Sequence, residues 1–135
     1  MPTLHLVLLA FWGGIVATEA VLELLPLLRP ALRPAAATFH YYVDLLVELP
    51  VLLGVAATGL LLLRGRSFDA RLAWKVGCGL AAVTANLVCI AFVVARHRGR
   101  DARRTTRVIF ASAAVGLPAA GGALVLGAGY AGWLG

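Results

Sequence analysis

Four stretches of this chain, 3–28, 38–63, 72–95 and 108–134, each run for more than twenty predominantly apolar residues. A helix rising 1.5 Å per residue needs about 20 such residues to cross a hydrocarbon core of roughly 30 Å. Each stretch is therefore long enough to span a bilayer. Together they use most of the 135 residues and leave no length for a separate soluble domain. Composition agrees, with 61% of residues hydrophobic and only 13% charged. A water-soluble domain this small keeps too large a share of its surface exposed to hide that much apolar area. The expected fold is an all-α integral membrane protein: four transmembrane helices in two antiparallel hairpins, closing into one small bundle over residues 1–135. A secretory signal cleaved near Ala35-Ala36-Ala37 fits the first stretch less well. No Lys or Arg precedes the apolar run, the run is too long, and it contains Glu19 and Glu23.

The net charge of +6 comes from twelve Lys and Arg residues against six Asp and Glu. In a soluble protein that excess would suggest nucleic acid. Here the basic residues lie at helix ends and in loops without interleaved aromatics, so lipid headgroups are the expected partner and nucleic acid is not. The first and third loops carry Arg29, Arg33, Arg96, Arg98, Arg100, Arg103, Arg104 and Arg107. The second carries Arg64, Arg66, Arg71 and Lys75. That bias puts loops 29–38 and 96–107 in the cytoplasm and both termini outside, as for a multi-pass protein of the bacterial inner (plasma) membrane. Trp74, Tyr130 and Trp133 would form one aromatic belt, and Phe39, Tyr41, Tyr42 and Phe110 the other.

Cys78 and Cys89 share the third helix, where eleven residues separate them by about 16 Å, too far for one disulfide. In the fourth, Ala119, Ala123, Gly127 and Ala131 recur every four positions. Such small residues let helix backbones approach closely. Packing within one bundle is the favoured reading of that stripe. A homo-oligomer or larger membrane complex assembled through it is the other.

Four of the six acidic residues lie inside the first two helices: Glu19, Glu23, Asp44 and Glu48. An ionisable residue at membrane depth costs a few kcal/mol or more and marks a functional site by default. Glu19 and Glu23 are four apart, as are His40, Asp44 and Glu48, so each set lines one helix face. Counted from the connecting loop, Glu23 comes level with Asp44, and Glu19 with Glu48. The result is a ladder of four carboxylates with His40 at its mouth. Asn86, His97 and Cys89 on the third helix form a second tier near the same face.

Three functions compete for the ladder. Carboxylates and imidazole on facing helices are the ligand set for iron, manganese or zinc. A mono- or dinuclear divalent site of Glu19, Glu23, His40, Asp44 and Glu48 would neutralise the buried charge, serving a membrane oxidoreductase or a metal carrier. The Glu-x-x-His signature of soluble di-iron bundles is absent, so only ligand type supports this reading. The second function is a small proton- or cation-coupled transporter, for which acids and a histidine in series form a relay. The third is an accessory subunit whose acids pair with arginines. Arg29, Arg33 and Arg96 could snorkel to Glu23 or His40, but Glu19 and Glu48 lie roughly 13–16 Å below the interface. Metal binding ranks first for that reason. Phosphate loops, nucleophile elbows and Cys-x-x-Cys pairs do not occur.

Overall fold

The computed structural model describes residues 1–64 and 67–130, with the backbone alone at Tyr130, and their regular structure is entirely helical. Helix α1 is Pro2–Leu28 and a 3₁₀ turn follows at Pro30–Leu32. Helix α2 (Arg33–Val43) passes through a π-helical turn, Asp44–Glu48, into α3 (Leu49–Leu63). Helices α4 (Ala70–His97) and α5 (Ala102–Tyr130) complete the chain. Four segments are long and apolar enough to cross a membrane: Pro2–Leu28, Pro30–Leu63, Ala70–His97 and Ala102–Gly129. Arg66, the Tyr130 side chain, Ala131, Trp133 and Leu134 lie outside the described residues.

The helices begin earlier than the apolar stretches. Two prolines after α1 open helical turns: Pro30 starts the 3₁₀ turn and Pro34 lies in the first turn of α2. First-turn N–H groups have no intrahelical partner, so proline costs nothing there. The second helical segment thus starts at Arg33 rather than residue 38. Likewise α5 starts at Ala102, because Asp101 Oδ1 accepts the backbone N–H groups of Arg103 and Arg104 at 2.8 and 3.3 Å. Asp69 caps α4 in the same way, accepting from Leu72 N–H at 2.7 Å. Both acids outside the ladder therefore serve as N-caps. What looked like a long polar third loop shrinks to a tight turn. Gly99 takes φ +82, and Arg100 N–H reaches back to the Ala95 carbonyl at 3.0 Å. A left-handed residue is what this helix ending requires, and glycine adopts it without a Cβ clash.

Helix α1 packs along α3 and α5, α4 along α5, and α2 against α1 and α4. Leu9, Trp12, Leu52, Val55, Ala82 and Ala123 form one buried cluster; Cys89, Val93 and Ile109 form another. The small residues of α5 pack inside the chain. Ala123 lies in the first cluster, Ala119 lies against it, and a Cβ on Gly127 would come within 3.0 Å of Leu6 Cδ2. Three side-chain bonds tie α1 to the second segment: His5 to Thr58, Trp12 to Glu48, and Glu23 to His40. Partner numbers fall as those of α1 rise, so the two segments run in opposite directions. Large apolar side chains such as Phe11, Leu53, Leu80 and Val125 point outward, while Glu19, Asp44 and Glu48 are buried.

The π turn has a local cause. Pro50 has no N–H, so the α-type bond to Leu46 is lost whatever the turn does. Leu49 N–H then bonds the carbonyl of Asp44, five residues back. Widening the turn by one residue holds Asp44 and Glu48 on the inner face, where both are fully buried. Such single π turns recur at functional sites.

Candidate metal site

His40 is the centre of the cluster. It is 1% exposed, and a carboxylate lies at each ring nitrogen. Nδ1 is 2.6 Å from Glu23 Oε1. Nε2 is 3.1 Å from Asp44 Oδ1 and 3.8 Å from Glu19 Oε2. The 3.1 Å approach is within ion-pair distance but is misaligned for a hydrogen bond, leaving Nε2 and both Asp44 oxygens without one. Donor atoms of Glu19, His40 and Asp44 all lie within 4.8 Å of one another, so this group could hold a metal ion.

Glu23 belongs to a different interaction. Arg96, in the last turn of α4, grips it with both arms: Nη1 to Oε2 at 2.9 Å and Nη2 to Oε1 at 2.5 Å. A bidentate Arg–carboxylate pair is short, strong and fixed in orientation. Arg96 Nη2 also comes within 3.4 Å of His40 Nδ1. Two donors gain nothing by meeting, so the 2.6 Å Glu23 contact decides the histidine's partner. A hydrogen on Nδ1 satisfies Glu23, and Nε2 faces Asp44 and Glu19.

Glu48 Oε1 accepts the indole N–H of Trp12 at 3.0 Å, while Oε2 has no partner. Glu19 Oε1 and Asn86 Nδ2 are likewise buried without a hydrogen bond. Buried polar atoms in folded proteins are nearly always satisfied by protein, water or an ion. These polar atoms are grouped in one part of the bundle, around His40 and Asp44. Beside them lies a cavity of about 30 Å³ lined by Glu19, Glu23, His40, Asn86 and Cys89 among others.

Of the residues expected to ligate, Glu19, His40 and Asp44 converge. Glu23 reaches the group through His40, and Glu48 adjoins Trp12. Asn86 and Cys89 line the cavity. His97 does not join them: it is exposed and stacks on Tyr41 with ring centroids 3.9 Å apart. The ladder's rungs also differ by one to two turns from the expected levels. Glu23 meets His40 rather than Asp44, and Trp12 rather than Glu19 meets Glu48. The earlier start of α2 explains this, since it sinks His40 deeper below the turn.

Trp12 escaped the sequence reading, although it lies seven residues before Glu19 and hence on the same face of α1. Its removal gives a direct check. Trp12→Phe keeps an aromatic ring but removes the indole N–H that Glu48 Oε1 accepts. The expected cost is about 1–3 kcal/mol, the usual penalty for leaving one buried polar group unsatisfied. Unfolding by titration with sodium dodecyl sulfate in mixed micelles would measure it. His5 is buried and bonded to Thr58 Oγ1 at 2.8 Å, far along α1 from the cluster. No protein family, curated protein or solved structure shows significant similarity to this chain.

Proposed function

We propose that this chain is a four-helix integral membrane protein in which Glu19, His40 and Asp44, with Glu48 beside them, bind one divalent transition metal ion. The observation that carries this reading is the Arg96–Glu23–His40 clamp. A carboxylate on one imidazole nitrogen is the usual outer support of a metal-bound histidine, and the other nitrogen faces two unsatisfied carboxylates. Ligands at about 2.1 Å and right angles around an ion lie about 3.0 Å apart, close to the His40–Asp44 separation of 3.1 Å. Arg96 neutralises Glu23, so the remaining negative charge suits one ion better than two. Carboxylates with one imidazole favour iron, manganese or zinc.

The metal is resident and not cargo: iron or manganese there would supply redox chemistry, and zinc would act as a Lewis acid. A carrier needs access from two sides, whereas this group lies under the Arg96 side chain beside a cavity of only about 30 Å³. Elemental analysis of protein purified in detergent is expected to find about one equivalent of iron, manganese or zinc. Absence of metal, with none gained on titration near neutral pH, would defeat the reading. The proton-coupled transporter would then lead, supported by the unpartnered oxygens of Glu19, Asp44 and Glu48. Its own test is whether Glu19→Gln abolishes proton-driven flux in liposomes.

The membrane setting is supported by the outward apolar side chains and inward acids, an arrangement that lipid tolerates and water does not. Two antiparallel hairpins in the bacterial inner membrane, with the 29–38 and 96–107 connections cytoplasmic and both termini outside, fit the arginine bias. Arg100→Cys in a Cys78→Ala, Cys89→Ala background is expected to label only from the cytoplasmic side. Labelling from the periplasm would reverse the orientation.

A further inference from the structure

The cavity of about 30 Å³ beside His40 is lined from α1, α2, α4 and α5. A single water needs roughly 10–15 Å³ of such space, whereas sites for organic substrates run to about 300–1,000 Å³. The cavity therefore takes a molecule of about two non-hydrogen atoms. Ala20 from α1, and Ser112 and Ala113 from α5, keep it open because their side chains are too short to fill it. Val16, Ile109 and Phe110 add apolar wall, which favours a neutral entrant over an ion. The polar lining includes Glu19 and His40 from the metal group and Asn86 from α4. Glu19 is 4% exposed and Asn86 6%, and neither Glu19 Oε1 nor Asn86 Nδ2 makes a hydrogen bond. Asn86 also lies near Glu48, but its amide carries two N–H groups, so one remains for the cavity. Three converging protein donors leave positions open on an octahedral ion.

We propose that this cavity is the open coordination position of the site and admits a neutral diatomic molecule of the dioxygen class, to which Asn86 donates a hydrogen bond. The volume sets the size of the entrant, the apolar walls its neutrality, and the amide its need for an acceptor atom. This rests on the metal-binding reading and adds what reaches the ion there: a small gas molecule does, and an organic substrate does not.

Nitric oxide is the probe, on detergent-purified protein loaded with iron(II) in the absence of air. The parent is expected to form an iron–nitrosyl complex, read by electron paramagnetic resonance, and to leave the bulkier tert-butyl isocyanide unbound. Ala113→Leu and Ala20→Val fill the cavity from two different helices. Each should keep its iron and weaken nitric oxide binding at least about tenfold, the order of effect of forcing extra methylenes into occupied space. Asn86→Leu removes the donor at similar volume. It should raise the N–O stretching frequency of the complex, since a hydrogen bond to the bound molecule weakens its N–O bond. A merely packing Asn86 would leave that frequency where it was, and Asn86 would then drop out of the site. Nitric oxide binding indifferent to both cavity-filling changes, or isocyanide bound as tightly as nitric oxide, would each overturn the proposal. Metal content separates the remaining failures. Protein that binds metal but forms no nitrosyl complex with iron(II) keeps the metal site and loses this ligand; protein that binds no metal loses both.

Discussion

Asp44→Asn is expected to lower metal affinity by at least about 100-fold, since loss of an outer-shell partner alone costs 10- to 100-fold. His40→Gln should do the same. Both changes nearly preserve volume, so packing is not at issue. The diagnostic feature is the opposite effect on the metal-free protein. Asp44 is fully buried, and neither of its oxygens has a hydrogen bond. Removing that charge should stabilise the metal-free protein by on the order of 1 kcal/mol, because Glu19 and Asp44, both buried, share one nitrogen of His40 and the excess like charge opposes folding. A purely structural Asp44 would give the reverse, a destabilised protein. Metal titration and detergent unfolding on the same two preparations distinguish the cases. Unchanged metal affinity in Asp44→Asn would remove Asp44 from the site.

The second large effect concerns Arg96, which the sequence placed within snorkelling reach of Glu23 and which grips it in the structure. Arg96→Gln leaves Glu23 as a buried carboxylate without its cation. Breaking one side of a buried pair typically costs about 3–5 kcal/mol, and that loss of stability is the expected outcome. Glu23→Gln combined with Arg96→Gln removes both charges and should restore most of it. Metal affinity should not recover. With Glu23 neutral, His40 Nδ1 has lost its carboxylate, so the double variant should bind about 10- to 100-fold more weakly than the parent. Recovery of stability together with full metal affinity would mean that the clamp holds the fold and does nothing for His40.

The helices and the burial of the acids follow from features local to the chain. Apolar length defines the four spans, and the four-residue spacing of Glu19 with Glu23, and of His40, Asp44 and Glu48, puts them on inner faces. Those properties depend on the helical period and on the cost of charge in an apolar medium, both of which act along one segment. The caps at Asp69 and Asp101 and the left-handed Gly99 are local in the same sense, though apolar length alone drew the helix ends several residues short. Which residues meet across the bundle is a different matter. The relative height and rotation of two helices depend on how the connection turns and how distant side chains interlock. A 3₁₀ turn at Pro30–Leu32 and an early start at Arg33 moved the rungs by one to two turns. The π turn before Pro50 then reset the rotation at Glu48. Arg96 reaches Glu23 across 73 positions and Trp12 reaches Glu48 across 36. No period in the sequence encodes such pairings, because they are fixed only when several faces close on one another at once. The acids were therefore readable as a buried group from the sequence alone. Their division into one Arg-held support, three converging donors and one carboxylate on Trp12 was decided by the tertiary packing.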